Sequence, residues 1–318
     1  MVAVALGVGV LLGYTVSQRA SPGRPQTTVI SGEALAPLRR KSATPHSALT
    51  PQSRPAPVLK SGAKGSFAAL ERRLGSHDTI TVAVEPIGRG RMETLGDDFG
   101  MQGMSTTKAL ILAALLRDRH GVTGLTPAER DEADAAITQS DNDAILALFS
   151  VLERDRGGLI DASTYATSLL REAGDPITTV ATAPPPPLYV TTFGQTNWTP
   201  AASVKFFRAL ALGCLLPPAD TGFVIGLMRR IEPSESWGLG SAGFSSVAFK
   251  GGWGPEPDGG YGVRQDGIIG EGDRRVVVAI AVDPAPTFAT GTAILSSVSR
   301  WLRAELRLEP RPVSPCPN

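Results

Sequence analysis

The chain of 318 residues has few of the residues that mark metal centres and disulfide-rich folds. Its only cysteines, Cys214 and Cys316, are far apart and outside any metal-ligand spacing. They predict neither a zinc site nor a disulfide framework, and whether they pair stays open. The net charge of +1 lacks the basic excess of a nucleic-acid-binding protein. We therefore expect no metal, no cofactor and no nucleic-acid partner.

Several common catalytic motifs are also missing. The sequence contains no Gly-x-Ser-x-Gly elbow, no His-Glu-x-x-His pair, no phosphate-binding loop and no dinucleotide fingerprint. Its three histidines, His46, His77 and His120, leave few candidates for a Ser-His-Asp triad. Nucleophilic catalysis, if this chain performs it, must use another base.

Composition divides the chain into four segments. Residues 2–16 form an uncharged apolar run, shorter than the ~20 residues of a spanning helix but long enough for a signal-peptide core. We interpret 1–20 as a signal peptide or membrane anchor, although no Lys or Arg precedes the run; a buried apolar helix is the alternative. Residues 21–62 are rich in Pro and Ser and predict a disordered tether. A folded domain over 63–309 and a disordered tail over 310–318 follow.

The folded domain is predicted to be α+β. Alternating β-branched residues predict a strand over 79–87, and a turn rich in Gly and Arg leads to a second predicted strand near 91–95. Helical spacing dominates the middle of the chain. Strand signals return at 246–250, 261–269 and 275–282, before a last helix over 290–307. These patterns indicate an antiparallel sheet built from N- and C-terminal strands, flanked by helices, with an inserted all-helical lobe.

A Ser-x-x-Lys pattern, Ser105 to Lys108, opens a strongly apolar predicted helix. Side chains three apart share a helix face, about 5 to 6 Å apart at Cβ, so the two could hydrogen-bond. The helix N-terminus favours an oxyanion, and a half-buried lysine can act as a base. Alternatively, Ser105 only caps the helix and Lys108 is solvated. Ser61 to Lys64 matches the same pattern in the tether, which we interpret as chance.

Two further short motifs could carry chemistry. Ser140-Asp141-Asn142 lies between two predicted helices and could present a hydroxyl and an amide to a cleft, or simply cap the second helix. Lys250-Gly251-Gly252-Trp253 ends a predicted strand. Its glycines allow close approach of a ligand and its lysine offers a positive charge, but a strand-ending turn is the alternative.

The three motifs together, in this order, resemble those of the penicillin-recognising serine hydrolases, and most closely the class A β-lactamases and serine D,D-peptidases. The resemblance extends over about 66–307. It implies Ser105 as nucleophile, Lys108 as its base and Ser140 as the relay of a proton to the leaving nitrogen. It also implies that the substrate is bound by Asn142, Lys250, Gly252 and Trp253. The backbone amides of Ser105 and Trp253 would form the oxyanion hole.

The sequence departs from the family pattern in three places. In the family, a Glu in the Ω-loop activates the water that deacylates the enzyme. Counting forward from Gly174, the matching position in this chain is Pro184. We therefore expect deacylation to be slow unless Glu172 or Asp175 moves into that place. Gly251 replaces the Thr or Ser whose hydroxyl helps to hold a substrate carboxylate. The 35 residues from Ser105 to Ser140 are fewer than in class A enzymes, which implies a shorter loop at the rim of the cleft.

Three other side chains have two interpretations each. Arg264, on the strand after Trp253, could bind a substrate carboxylate bidentately or could be a solvated strand residue. Trp237 and Trp253 could form apolar walls of a cleft or pack in the core.

The resemblance implies an exported serine hydrolase, secreted or membrane-tethered in the cell envelope. It would act through an acyl-serine intermediate on a β-lactam or a cell-wall peptide, as a monomer associated with the membrane through its N-terminal segment. One alternative is a working β-lactamase with an unusual deacylation route. The other is a catalytically silent or acylation-only protein that binds peptidoglycan or another envelope ligand.

Overall fold

The structure, a computed structural model, describes residues 57–75, 79–184, 191–256 and 259–317. The segment 53–318 forms one compact unit. The predicted leader at 1–20 and most of the predicted tether lie outside the described residues. Within the part of the chain that is described, no helix is long and apolar enough to cross a membrane.

A five-stranded antiparallel sheet forms the centre of the domain, as predicted, with the strand order β2-β1-β5-β4-β3. Its N-terminal strand β1 pairs with the C-terminal strand β5 along its whole length. The strands are β1 (Thr79–Pro86), β2 (Glu93–Leu95), β3 (Val247–Pro255), β4 (Tyr261–Ile269) and β5 (Val276–Ala285).

Eight α-helices surround the sheet in the described residues. Their bounds are α1 (Ala63–Leu74), α2 (Lys108–Asp118), α3 (Pro127–Thr138), α4 (Asn142–Arg156), α5 (Leu159–Glu172), α6 (Pro200–Leu212), α7 (Pro218–Met228) and α8 (Phe288–Glu305). Helices α2 to α5 and α7 form the predicted helical lobe. Every residue of α2 from Lys108 to Leu116 is buried, which identifies it as the central helix of this lobe.

The two faces of the sheet have different roles, because neighbouring residues of a strand point to opposite faces. On β4, Val263 faces α8, since a Cβ added at Gly291 of that helix would lie 2.5 Å from its Cγ2. Asp266 faces α6, where Ser203 Oγ donates to its carboxylate at 2.9 Å. Asp266 is paired with Lys250 and Arg264 with Gly252 across β3 and β4, which places all four on the α6 face.

The domain begins before residue 63, contrary to the sequence-based boundary. Val58 and Leu59 are buried, and the Glu93 carboxylate accepts hydrogen bonds from their amides at 2.6 and 3.2 Å. Leu59 also forms a β-bridge with Leu306. The predicted boundary at residue 63 is wrong because the Pro-rich composition of the surrounding segment indicates disorder, although the segment contributes two apolar side chains to the core.

The prediction of a disordered tail over 310–318 is wrong for the described residues 310–317. Arg311 is buried, Val313 forms a β-bridge with Gly88, and Cys316 is bonded to Cys214. Proline prevents a helix here, but backbone pairing and a covalent bond hold the segment in place without one.

Removing the Cys214–Cys316 disulfide should destabilise the domain strongly. The bond joins residues 102 apart, so it restricts a long loop in the unfolded chain and contributes on the order of 3–5 kcal/mol. We expect the double variant Cys214→Ala/Cys316→Ala to melt about 10 °C below the parent chain. Reduction of the parent chain is the matched control and should give the same loss; equal melting temperatures for oxidised, reduced and doubly substituted chains would contradict the prediction.

Candidate active site

Ser105 lies on a 3-10 helix, Met104–Thr107, that leads directly into α2. The residue before it, Met104, has a φ of 49°, in the left-handed region that non-glycine residues seldom adopt. Gly103 anchors the turn through a hydrogen bond from its amide to the Thr196 carbonyl at 2.7 Å. Ser105 is half-buried, so a strained and anchored turn presents its hydroxyl at a partly open position.

Lys108, the first residue of α2, is buried and turned toward the Ser140-Asp141-Asn142 segment. Its Nζ donates to the Ser140 carbonyl, to the Asp141 carbonyl at 3.1 Å and to Asn142 Oδ1 at 2.9 Å. The hydrogen bonds of the described residues include none between Ser105 and Lys108, although helical spacing allows one. The lysine is therefore neither solvated nor bonded to the serine, because three oxygens of the neighbouring segment take its donors.

The environment of Lys108 suits a general base. Its pKa is lowered from 10.5 to about 7, mainly by burial and also by the nearby Lys250 ammonium, while Glu235 and Asp141 oppose the shift. Near neutral pH, a substantial fraction of this side chain is therefore the free amine. An amine with a pKa close to the working pH can accept a proton and return it.

Ser140 connects the two lysines of the site. Its Oγ accepts a hydrogen bond from Lys250 Nζ at 2.9 Å and lies 3.4 Å from Lys108 Nζ. Its φ of 57° is again left-handed. Asp141 caps α4 by accepting from the Ala144 amide at 2.8 Å. The capping interpretation of this motif is thus correct for Asp141, while the presentation of Ser140 and Asn142 to a substrate cleft stays a prediction.

Gly252 brings strand β3 into contact with the Ser105 turn. A Cβ added at Gly252 would lie 3.0 Å from the Ser105 amide nitrogen and 3.1 Å from the Gly103 carbonyl oxygen. Only glycine allows this approach without displacement of backbone. Strand β3 is an edge strand, and Trp253 follows Gly252 along it. The assignment of the Ser105 and Trp253 amides to an oxyanion hole stays a prediction.

The two tryptophans near β3 belong to an aromatic cluster. The rings of Trp237 and Trp253 lie 6.1 Å apart, and each contacts Phe288 of α8. A Cβ added at Gly251 would lie 3.1 Å from Trp237 Cζ2. This packing favours the core interpretation of both tryptophans, and it places an indole where a side chain at residue 251 would project.

Arg264 is neither solvated nor available to a substrate, so both sequence-based interpretations are wrong. It is fully buried, and its Nε and Nη2 donate to the Asp266 carboxylate at 3.2 and 3.0 Å. Its Nη1 donates to the Trp198 carbonyl at 2.6 Å. The two charged residues are two apart on β4 and so share a face, which is the sequence signal that could have predicted the pair.

Glu235 is a site residue that the sequence analysis missed. It lies on a 3-10 helix, Pro233–Glu235, and its Oε2 is 3.4 Å from Lys250 Nζ. Lys250 is fully buried; burial lowers its pKa and the Glu235 carboxylate opposes that shift. No spacing rule links the two, because Glu235 lies in a connection before β3 and only the fold brings it to the lysine.

Neither carboxylate considered as a replacement for the missing Ω-loop Glu is free. Glu172 is ion-paired with Arg117 at 2.7 Å. Asp175 is buried, and its Oδ1 accepts from the amides of residues 177 and 178 at 3.1 and 3.2 Å. Pro184 is exposed, and 185–190, which contain the rest of the proline run, lie outside the described residues.

Solved structures of class A β-lactamases share this fold. An ancestral class A β-lactamase (GNCA) is 23% identical, with a TM-score of 0.57 over 76% of this chain and 99% of that one. The chromosome-encoded β-lactamase of Vibrio parahaemolyticus is 18% identical, with a TM-score of 0.57 over 76% and 98%. No protein-family model and no curated protein sequence matches the chain. The domain therefore has a β-lactamase-like fold, at low sequence identity.

Proposed function

We propose that this chain is an exported serine hydrolase of the β-lactamase/D,D-peptidase type, which forms an acyl-Ser105 intermediate with a β-lactam or a cell-wall peptide. The observation that carries the proposal is the continuous contact from Lys108 through Ser140 to Lys250, next to the strained turn that holds Ser105. Burying two lysines costs stability, and buried ionisable groups of this kind are typical of catalytic sites, where they activate a nucleophile.

Acylation would use these residues in sequence. Ser105 Oγ attacks the substrate carbonyl carbon, and the neutral amine of Lys108 takes the hydroxyl proton. The amides of Ser105 and Trp253 stabilise the oxyanion of the tetrahedral intermediate. When the bond to the leaving group breaks, the leaving atom takes a proton from Ser140, which is replenished by the adjacent lysines. The products are an ester on Ser105 and the protonated leaving group.

Hydrolysis of that ester should be slow. The family's deacylating carboxylate is replaced by Pro184, which can neither accept a proton nor position water. Glu172 and Asp175 are held by an ion pair and by backbone amides. We therefore propose a long-lived acyl-enzyme.

The second candidate is a catalytically silent or acylation-only protein that binds peptidoglycan or another envelope ligand. Two observations favour it: Pro184 in place of the family's Glu, and Trp237 packed over Gly251. The full chain incubated with a labelled penicillin and, separately, with an uncharged labelled aryl ester distinguishes the candidates. Label that persists for many minutes and then declines indicates the proposed hydrolase with slow turnover. Label that never declines indicates an acylation-only protein, and no label from either compound indicates the silent protein. Rapid loss of label would contradict the proposed slow deacylation.

Export is supported by the apolar segment at 2–16 and by the Cys214–Cys316 disulfide, because structural disulfides persist in oxidising compartments. Deleting residues 1–20 should move the protein out of the membrane or exported fraction into the cytosolic fraction. Cell fractionation of the full and shortened chains measures this, with the disulfide scored by thiol alkylation. An unchanged distribution would contradict the proposed leader.

A further inference from the structure

Two buried cations lie on the sheet face that Ser105 approaches. Lys250 on β3 and Arg264 on β4 are both fully buried, and Gly252, which contacts the Ser105 amide, lies two residues from Lys250 and directly opposite Arg264. Cations in such a position could anchor an anionic group of a bound substrate.

Each of these cations already has a carboxylate partner from the chain itself. Glu235 Oε2 is 3.4 Å from Lys250 Nζ, and the Asp266 carboxylate takes two nitrogens of Arg264. A substrate carboxylate that approached Lys250 would meet the Glu235 carboxylate on the same ammonium. Two carboxylates sharing one cation repel each other, and water no longer screens them in a buried site.

Lys108 does not supply a second cation for such a carboxylate. The donors of Lys108 are taken by oxygens of residues 140 to 142. Gly251 contributes no hydroxyl, and the Trp237 indole lies over it. Near Lys250 a substrate would therefore meet an ammonium that Glu235 already neutralises and the uncharged hydroxyl of Ser140, which suit an uncharged group better than an anion.

We propose that the site takes acyl donors whose leaving group carries no carboxylate, such as neutral esters or amidated peptides, and that Glu235 is the residue that rejects carboxylate. This inference rests on the proposed function and narrows its substrate class. It makes Glu235 a specificity-determining residue that acts through Lys250. The Glu235 carboxylate would repel a carboxylate on the ligand, and such repulsion is one way in which a site discriminates between ligands.

The experiment compares two acyl thioesters that differ only in the leaving group, thioglycolate or its uncharged amide. We expect the full wild-type chain to favour the amide in kcat/KM by at least about tenfold. Glu235→Gln, which keeps an amide oxygen near Lys250 but removes the charge, should lower that ratio by about tenfold or more. Glu232→Gln, at an exposed acid three residues upstream, is the matched control and should keep the wild-type ratio.

Binding to the Ser105→Ala chain separates this inference from the proposed function. Calorimetry should show tighter binding of the amide thioester than of the thioglycolate, and adding Glu235→Gln should remove the difference. If that holds while the wild-type chain is never acylated, the proposed function fails and the selectivity stands. Equal or tighter binding of the carboxylate compound to a chain that retains Glu235, or a ratio unchanged by Glu235→Gln, would overturn the inference.

Discussion

A chain with Ser105 replaced by alanine should give no burst of p-nitrophenol from an uncharged p-nitrophenyl ester, whereas the wild-type chain should release about one equivalent. The Ser105 side chain lies on the strained turn that leads into α2 and contacts edge strand β3. The hydroxyl of Ser140, the other serine of the site, is held between two lysines. Loss of the nucleophile should lower the acylation rate by at least about a thousandfold.

Ser61→Ala is the matched control for this substitution. Ser61 belongs to the other Ser-x-x-Lys match, at the exposed start of α1. It should retain the full burst. A burst of wild-type amplitude from Ser105→Ala would show that the nucleophile lies elsewhere.

The acylation rate should rise with pH through about 7 and then level off. Burial and the nearby Lys250 ammonium lower the pKa of Lys108 to about 7. Only the neutral amine can take the Ser105 proton, so activity is lost as pH falls through that value. Stopped-flow measurement of the burst rate across the pH range tests the direction and the midpoint. A rate that is flat with pH, or that falls as pH rises through 7, would contradict the assignment.

Lys108→Arg separates basicity from charge. Arginine stays protonated, so it cannot accept the proton, and the rate should fall by about a hundredfold or more with loss of the rise near pH 7. Lys64→Arg, in the exposed Ser-x-x-Lys match of α1, should behave as the wild type. Circular dichroism of both variants excludes unfolding as the cause.

The same pKa shift has a consequence for stability. The unfolded chain holds the Lys108 proton up to about pH 10.5, whereas the folded chain releases it near 7. The burial of Lys108 therefore destabilises the folded chain in full below pH 7, and this destabilisation decreases as pH rises from 7 to 10.5. Such a buried lysine is typical of catalytic sites, which supports the proposed role of Lys108 as the base.

Much of the fold could be predicted from the sequence because its signals are local. Alternating β-branched residues predict β1, short strand signals predict β4 and β5, and helical spacing predicts α2 and the helical lobe. The order of strands and helices along the chain then indicated one sheet built from both ends. The comparisons with solved structures confirm this architecture.

The parts that could not be predicted depend on contacts between distant segments. The ion pair between Glu235 and Lys250 forms only when the connection before β3 folds back, and no pattern marks it. The disulfide between Cys214 and Cys316 joins α6's end to the terminal segment across 102 residues. Arg264 is not available to a substrate because Asp266, two residues along the same strand face, takes its guanidinium.

A covalent acyl group on Ser105 is the central requirement of the proposed function, and intact-protein mass spectrometry of the full chain measures it directly. The chain is incubated with an uncharged p-nitrophenyl ester, sampled from seconds to hours and digested for peptide mapping. We predict a single adduct with the mass of the acyl group, on the peptide that contains Ser105, which persists for many minutes after excess ester is removed. No adduct at any time, or an adduct on a peptide without Ser105, would contradict the account.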